Sequence, residues 1–452
     1  MSFRRFFSVF LALVLALSLS VPAFAAQDDM GDWEVEAKAA LLLDPETGEV
    51  LYARNIHEKL YPASLTKVMT ALLVLEAIAD GKLAMDTVLA ATESAVADIP
   101  NDASSAGIVV GEELTVEQLL HCILVVSANE ACNILAESVS GTVDAFVARM
   151  NERAKELGCE NTNFVTTNGL HSVDHYTTAW DLYLITSEAM NHDVFLRICN
   201  TKSCEVPPTN MRKEGRRYST TNHLISAARQ RHYLYEGASG VKTGYTSAAG
   251  SCLIATASRS GRTLLSVVLG ADRVSRGDGV VDDWSFYETI KLFDYGFDGF
   301  QRAVILDTSE LIDEVGVSLS QEQNTVKVHP AESVERLIPS DITAQDVNRT
   351  VTFTAEVVDA PVAKGQVLGT ITLSYGDTVY ATVDLLADED VSASNLLVFQ
   401  RNTLEFFKAN AMKMVIAAAA VLLLVIIVVI ISASSRRRRY DRRRGGYRGR
   451  RR

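Results

Sequence analysis

The feature that most limits how this chain can fold stands near its end. From Ala411 to Ala433 the sequence is apolar almost without interruption for 23 residues, with Lys413 near the outer end able to reach an interface. A helix of that length crosses a hydrocarbon core of about 30 Å. Eleven arginines and one aspartate follow between Arg436 and Arg452. Such a basic excess places the tail on the cytoplasmic side. The other end agrees. Arg4 and Arg5 precede an apolar run from Phe6 to Leu19, and Ala23-Phe24-Ala25 is a small-x-small cleavage site. That pattern is a secretory signal, expected to span residues 1–25. The expectation is a body exported across the cell membrane, held by a single C-terminal span, with its arginine tail inside.

Charge narrows the partners. The whole chain carries −13, and removing the basic signal and tail leaves about −25 on residues 26–435. An acidic exported body is a poor partner for nucleic acid or for an anionic lipid face. The tail is better read as a clamp on anionic lipid than as an RNA-binding arm. Six cysteines, at 122, 132, 159, 199, 204 and 252, permit disulfides in that compartment, and Cys199 with Cys204, in a polar connection, are the two placed to pair. No Cys-x-x-Cys or His-x-x-x-His spacing points to zinc, and neither metal nor cofactor is expected.

Ala39–Leu43 and Val50–Ala53 flank the turn-forming Asp44-Pro45-Glu46-Thr47-Gly48-Glu49 and read as a hairpin. Ser64 to Ala79 has helical apolar spacing closed by Gly81. Thr115–Val139 reads as one or two helices, Asp144–Leu157 as another, 177–200 as more, and Trp284–Tyr295 as a last one. Strand-like runs return at Cys252–Ala257 and Thr263–Leu269. Strands at both ends with helices between predict an α/β (α+β) domain over 35–298, an antiparallel sheet against a helical region. Residues 300–395 alternate apolar with Thr and Val and predict a small antiparallel all-β domain. Residues 396–410 form a linker helix, 411–433 the span and 434–452 the tail.

Within the first domain three polar motifs stand out. In Ser64-Leu65-Thr66-Lys67 the serine and lysine share one face of a helix start. A serine hydroxyl needs a base within reach, and lysine serves only if burial or a neighbouring cation lowers its pKa. Lys242 could be that cation. Alone, the motif is equally an N-cap serine before a surface lysine. Ser127-Ala128-Asn129 ends the apolar run 122–126, where polar groups are costly unless satisfied or used. Ser127 could shuttle a proton, and Asn129 could hold a substrate amide. Alone, this too is a helix cap. Lys242-Thr243-Gly244, beside Tyr245 and a strand, suits an extended substrate with a carboxylate. Alone it is a turn. His121, His171 and His175 read as structural or loop residues rather than ligands or bases.

Together these motifs are the set of active-site serine β-lactamases and penicillin-binding proteins. The chain closely resembles the low-molecular-mass penicillin-binding proteins, the serine D-alanyl-D-alanine carboxypeptidases. Leu43–Tyr52, Tyr61–Lys67, Asn161–Phe164, Asn168-Gly169-Leu170, His175–Ala179, Val241–Thr246 and Ala360–Gln366 carry the likeness over roughly 37–390. The resemblance implies a penicillin-binding/β-lactamase-like transpeptidase fold. It implies that Ser64 attacks the carbonyl between the two terminal D-alanines of a peptidoglycan stem peptide and that Lys67 takes its proton. Ser127 would pass a proton to the departing D-alanine. The amides of Ser64 and Tyr245 would form the oxyanion hole, and Lys242 and Thr243, with Gly244, would bind the carboxylate. β-Lactams would stall the site as acyl-enzymes.

The chain departs from the pattern in three places. Glu130 stands where an aspartate is usual. Ser285 stands ten residues before Tyr295, where many members have a carboxylate-binding arginine, and Arg273 or Arg276, of which Arg276 is the candidate carried forward, would serve instead. A true span replaces the usual amphipathic surface helix. Two readings on the same site stay open, a β-lactamase and a D,D-endopeptidase. A third, of another class, is a catalytically silent cell-wall scaffold. No Glu-x-x-Leu-Asn segment favours the β-lactamase.

Overall fold

The computed structural model describes residues 34–445 except 98, 229 and 277–280, with side chains through 435. The expected signal peptide lies outside the described residues. By internal contacts the chain divides into two units. The first holds the residues up to Ile305 with 335–348 and 373–380, and the second holds the remainder.

The first unit is built on five antiparallel strands, β1 (Ala39–Leu43), β2 (Val50–Arg54), β3 (Ala238–Thr246), β4 (Gly250–Arg259) and β5 (Arg262–Ala271), in the order β2-β1-β5-β4-β3. Central strands here are apolar throughout because both faces are covered. Leu41, Leu43, Ile254, Leu265 and Val267 pack into the core under the helical region. Their alternates Leu42, Leu253, Ala255, Leu264 and Val268 pack against the opposite core. Phe286, Leu292 and Phe293 of a late helix, Trp284–Gly299, complete that second core. Each fully buried leucine contributes about 1.5–3 kcal/mol. β3 is the sheet's edge strand, and it contains Lys242-Thr243-Gly244, which the sequence put beside a strand.

The helical region centres on α1 (Lys67–Ala79), most of whose residues are buried. That explains its nearly all-round apolar composition. A short 3-10 turn, Ala63–Thr66, leads into it. Val116–Val126 runs as α-helix α2 (Val116–His121) and then a π-helical turn, Cys122–Val126. Ser127, with φ +71°, breaks it, and α3 (Asn129–Ser140) starts afresh. The stretch expected as one or two helices is thus two, parted at Ser127. α4 (Val143–Glu156), α5 (Ala179–Met190) and α6 (Asp193–Cys199) follow.

All six cysteines are free thiols, so the expected Cys199–Cys204 pair does not form. Cys199 is buried at the end of α6 against Gly240 of β3, whereas Cys204 lies in the strand Ser203–Val206 paired with Arg216–Ser219. The two thiols sit on different elements packed against the same core.

The second unit is built on a six-stranded sheet. Asp313–Ser318 pairs antiparallel with Thr325–Pro330, and that strand pairs antiparallel with Thr378–Ala387. Buried Val315 and Val317 meet Val326 and Val328 on one face, the alternation expected from the sequence. One pairing departs from the antiparallel expectation: the three-residue strand Val357–Asp359 joins Asp313–Ser318 parallel, returning to its edge by a long connection. A C-terminal helix, Asn395–Gly445, runs for 51 residues without a break between the expected linker and span. No proline and no glycine before Gly445 interrupts it. Its apolar side chains from Val415 to Ile431 are uncovered by protein, which fits a membrane anchor.

Candidate active site

Ser64 and Lys67 are placed by the change from 3-10 turn to α-helix. The turn carries strain: Ala63 has φ +47°, a left-handed conformation that alanine rarely adopts. Three contacts hold it there. The Thr66 hydroxyl donates to Ala63 O at 2.8 Å. Gly169, itself at φ +86°, comes so close that a Cβ would sit 1.8 Å from Ala63 O, so only glycine fits. His175 supplies the third. Its Nδ1 accepts from the amides of Val165 at 3.0 Å and Thr166 at 3.2 Å. The proton is therefore on Nε2, which donates to Thr66 Oγ1 at 2.8 Å. Burial pushes this imidazole down to about 4, so it stays neutral and structural.

Lys67 is fully buried. Its ammonium donates to Ser64 Oγ at 3.0 Å, Asn129 Oδ1 at 2.7 Å and Asn168 O at 2.7 Å. Burial lowers it to about 8, against the opposing pull of Cys132 and Glu130. Of the two causes expected, burial or a neighbouring cation, burial is the leading one. Lys242, also buried, bears the repulsion instead. Burial and then the Lys67 charge lower it to about 7, and its Nζ donates to Thr243 O at 2.9 Å. The left-handed backbone at Ser127 delivers its Oγ as a buried hydroxyl with no hydrogen-bond partner among the described residues. Such a group is costly unless substrate completes it.

Ser64, Ser127, Asn129, Thr243, Gly244 and Tyr245 line one cleft of about 670 Å³, with Lys67 and Lys242 behind its walls. At Gly244 a Cβ would lie 3.1 Å from both Ser64 N and Pro62 O. Glycine therefore lets the edge strand β3 lie flush against the Ser64 amide. An edge strand leaves main-chain groups free for an extended peptide.

Several further residues at or around the cleft gain their roles only from the fold. Asn168, 101 positions from Lys67, gives only its carbonyl. Thr221 pairs hydroxyls with Thr243 at 2.6 Å. His171 lines the cleft and packs edge-on against Tyr61 at 4.7 Å, which gives a residue read as merely structural a place at the site. Glu130 is buried, and its Oε1 accepts from Ser105 Oγ and the amides of Ala106 and Ile108 at 2.7, 2.8 and 3.3 Å. It thus secures the loop that forms one rim.

The arginine assignment changes. Arg276 is bound by Asp282 and donates to Tyr287 Oη at 3.3 Å, and it does not line the cleft. Arg273 does. Its guanidinium lies 4.2 Å from the Tyr245 ring centre and 3.7 Å from Asp283 Oδ2. Ser285, at the position where an arginine was sought, is buried and bonds Asp283 Oδ1 through its amide and hydroxyl. Among the described residues no cluster of His, Cys, Asp and Glu is arranged to hold a metal.

Comparison with known proteins follows the same lines. The profile of the D-alanyl-D-alanine carboxypeptidase family, peptidase S11, matches residues 23–273, and that of the penicillin-binding protein 5 C-terminal domain matches 309–393. D-alanyl-D-alanine carboxypeptidase DacF of Bacillus subtilis is 31% identical over 403 residues, 89% of this chain and 98% of that protein. Among solved structures, penicillin binding protein 5 from Haemophilus influenzae superposes with a TM-score of 0.60 at 29% identity, covering 80% of this chain and 98% of its own. A carboxypeptidase from Francisella tularensis shares the fold with a TM-score of 0.67 at 24% identity, over 82% and 98%.

Proposed function

This chain belongs to the peptidase S11 family of penicillin-binding serine D-alanyl-D-alanine carboxypeptidases, and from that membership we propose how its residues divide the reaction. Ser64 Oγ attacks the carbonyl carbon between the two terminal D-alanines of a stem pentapeptide. Its proton passes to Lys67 Nζ, and the negative charge forming on the carbonyl oxygen meets the amides of Ser64 and Tyr245. Ser127 hands its proton to the nitrogen of the departing D-alanine as the C–N bond breaks and takes the proton held by Lys67 in return, leaving an ester on Ser64 and a neutral Lys67. Water, deprotonated at Lys67, then cleaves that ester. A β-lactam enters the same path and stops at the ester.

The observation that carries this reading is the buried Lys67 ammonium in contact with Ser64 Oγ and lowered to about 8. Lys242, Thr243 and Thr221 are proposed to receive the terminal carboxylate, with Arg273 rather than Arg276 as the outer cation. Asn129 spends its Oδ1 on Lys67, so its part is first to hold the base.

We also assign the C-terminal helix as a single span, with the catalytic unit outside the cytoplasm and the arginine tail within it. The long apolar stretch within the helix Asn395–Ser435 supports the anchor. The test of the chemistry is D-alanine release from a stem pentapeptide by the full chain beside Ser64→Ala. Release only with the serine intact is expected, and release by a folded Ser64→Ala protein would overturn the assignment.

A further inference from the structure

We propose that Asp102 is a subsite for a cationic side chain on the acyl half of the substrate, the part that stays on the enzyme when D-alanine leaves. The inference rests on the carboxypeptidase reading and names the part of the substrate that reading leaves open.

Two carboxylates line the cleft, Asp102 and Asp283. Asp283 is fully employed. Its Oδ1 accepts from Ser251 Oγ at 2.5 Å, from Ser285 N at 3.1 Å and from Ser285 Oγ at 2.6 Å, and its Oδ2 faces Arg273. Asp102 is exposed and has no hydrogen-bond or ion-pair partner among the described residues. A solvated acid on a slack loop would mean little, but this loop is clamped. Two residues on, Ser104 O accepts the Asn129 amide at 2.9 Å. Glu130 takes the Ser105, Ala106 and Ile108 donors. Arg216 and Tyr218 hold Ala106 O at 3.0 and 2.5 Å. The segment that presents Asp102 is thus fastened to the same helix start that holds Lys67.

The position has a direction. Lys242, Thr243 and Arg273 belong to the wall made by β3 and the segment after β5, where the terminal carboxylate goes. Asp102 belongs to the wall around Asn129. A peptide with its carboxylate at the first wall and its scissile carbonyl at Ser64 has its preceding residues left for the second. The residue before the two D-alanines in a stem peptide is a diamino acid, with a side-chain ammonium free in an uncross-linked stem and an uncharged amide in a cross-linked one. An unpaired carboxylate favours the first. Asp102 would therefore steer the enzyme toward stems not yet joined to a neighbour.

The experiment compares two synthetic peptides ending in L-Lys-D-Ala-D-Ala, one with a free side-chain amine and one with that amine acetylated. D-alanine release is measured with the full chain in detergent, in wild type, Asp102→Asn and Asp102→Lys. The ratio of the two kcat/KM values within each protein cancels differences in folded fraction. An exposed ion pair predicts a free-amine preference of about two- to fivefold in wild type at low salt, shrinking as salt rises. The ratio should fall to about one in Asp102→Asn and below one in Asp102→Lys. Equal rates in wild type, or an undiminished preference in Asp102→Asn, would overturn the subsite alone. No release from either peptide by wild type would overturn the carboxypeptidase reading and the subsite with it.

Discussion

The two walls of the cleft are made differently. Around Lys67 most groups are buried and bonded: the ammonium to three oxygens, Thr66 to Ala63 and His175, Glu130 Oε1 to three donors. Around Tyr245 the parts are looser. Tyr245 is 48% exposed, and Arg273 rests on its ring with a 3.7 Å contact to Asp283. The first wall holds the proposed base, where a small displacement costs rate. The second holds the proposed carboxylate site, where an arriving carboxylate supplies the missing order. The lesson is that rigidity is placed where protons move and spared where a ligand must be admitted.

That contrast predicts unequal damage. Lys67→Ala, on the rigid wall, should lower kcat/KM for D-alanine release by about 10³-fold or more, because base and scaffold vanish together. A loss below tenfold would show that the wall does not act as a unit. On the open wall Arg273→Gln should raise KM about tenfold with little change in kcat, the loss of one charged hydrogen bond. Arg276→Gln, bound to Asp282 away from the cleft, should leave both constants near wild type. The reverse ranking would return the carboxylate to Arg276.

The smallest effect is in pH. With neutral Lys67 as the proposed base and its ammonium lowered to about 8, the active fraction grows as pH rises and saturates above that value. At saturating substrate the acylation rate should climb about fivefold from pH 7 to 8 and then level, while Lys242, lowered to about 7, loses its charge over the same range and raises KM. His175, near 4 and neutral throughout, should add no inflection in that range. A flat profile from 6 to 9 would mean that Lys67 is not titrating as the base.

Legibility in the sequence follows the same division. Ser64 and Lys67 are one helical turn apart, Ser127 and Asn129 flank one break, and Lys242 to Tyr245 are contiguous, so short motifs display them. The sheet and the helices are legible too, because their alternation and periodicity are local. What could not be read depends on distant parts meeting. Asn168 contributes a backbone carbonyl, which no side chain advertises. His175 acts through Thr66, 109 positions away. Arg273 and Arg276 are near-equivalent in sequence and separate only when Asp282 binds one and Tyr245 the other. The unpaired cysteines follow from which element carries each thiol into the core, again a matter of packing.

The three bonds of Lys67 also count protons. An ammonium has three N–H groups, and here three oxygens receive them. Once a proton is lost, the amine keeps two donors and gains one lone pair, so one bond must reverse. Asn129 Oδ1 and Asn168 O are carbonyl oxygens and have no hydrogen to give. With the Asn129 amide oxygen and the Asn168 carbonyl both facing Lys67, the Ser64 hydroxyl is the partner that turns round and donates. The same contacts that hold the base thus aim the nucleophile's hydrogen.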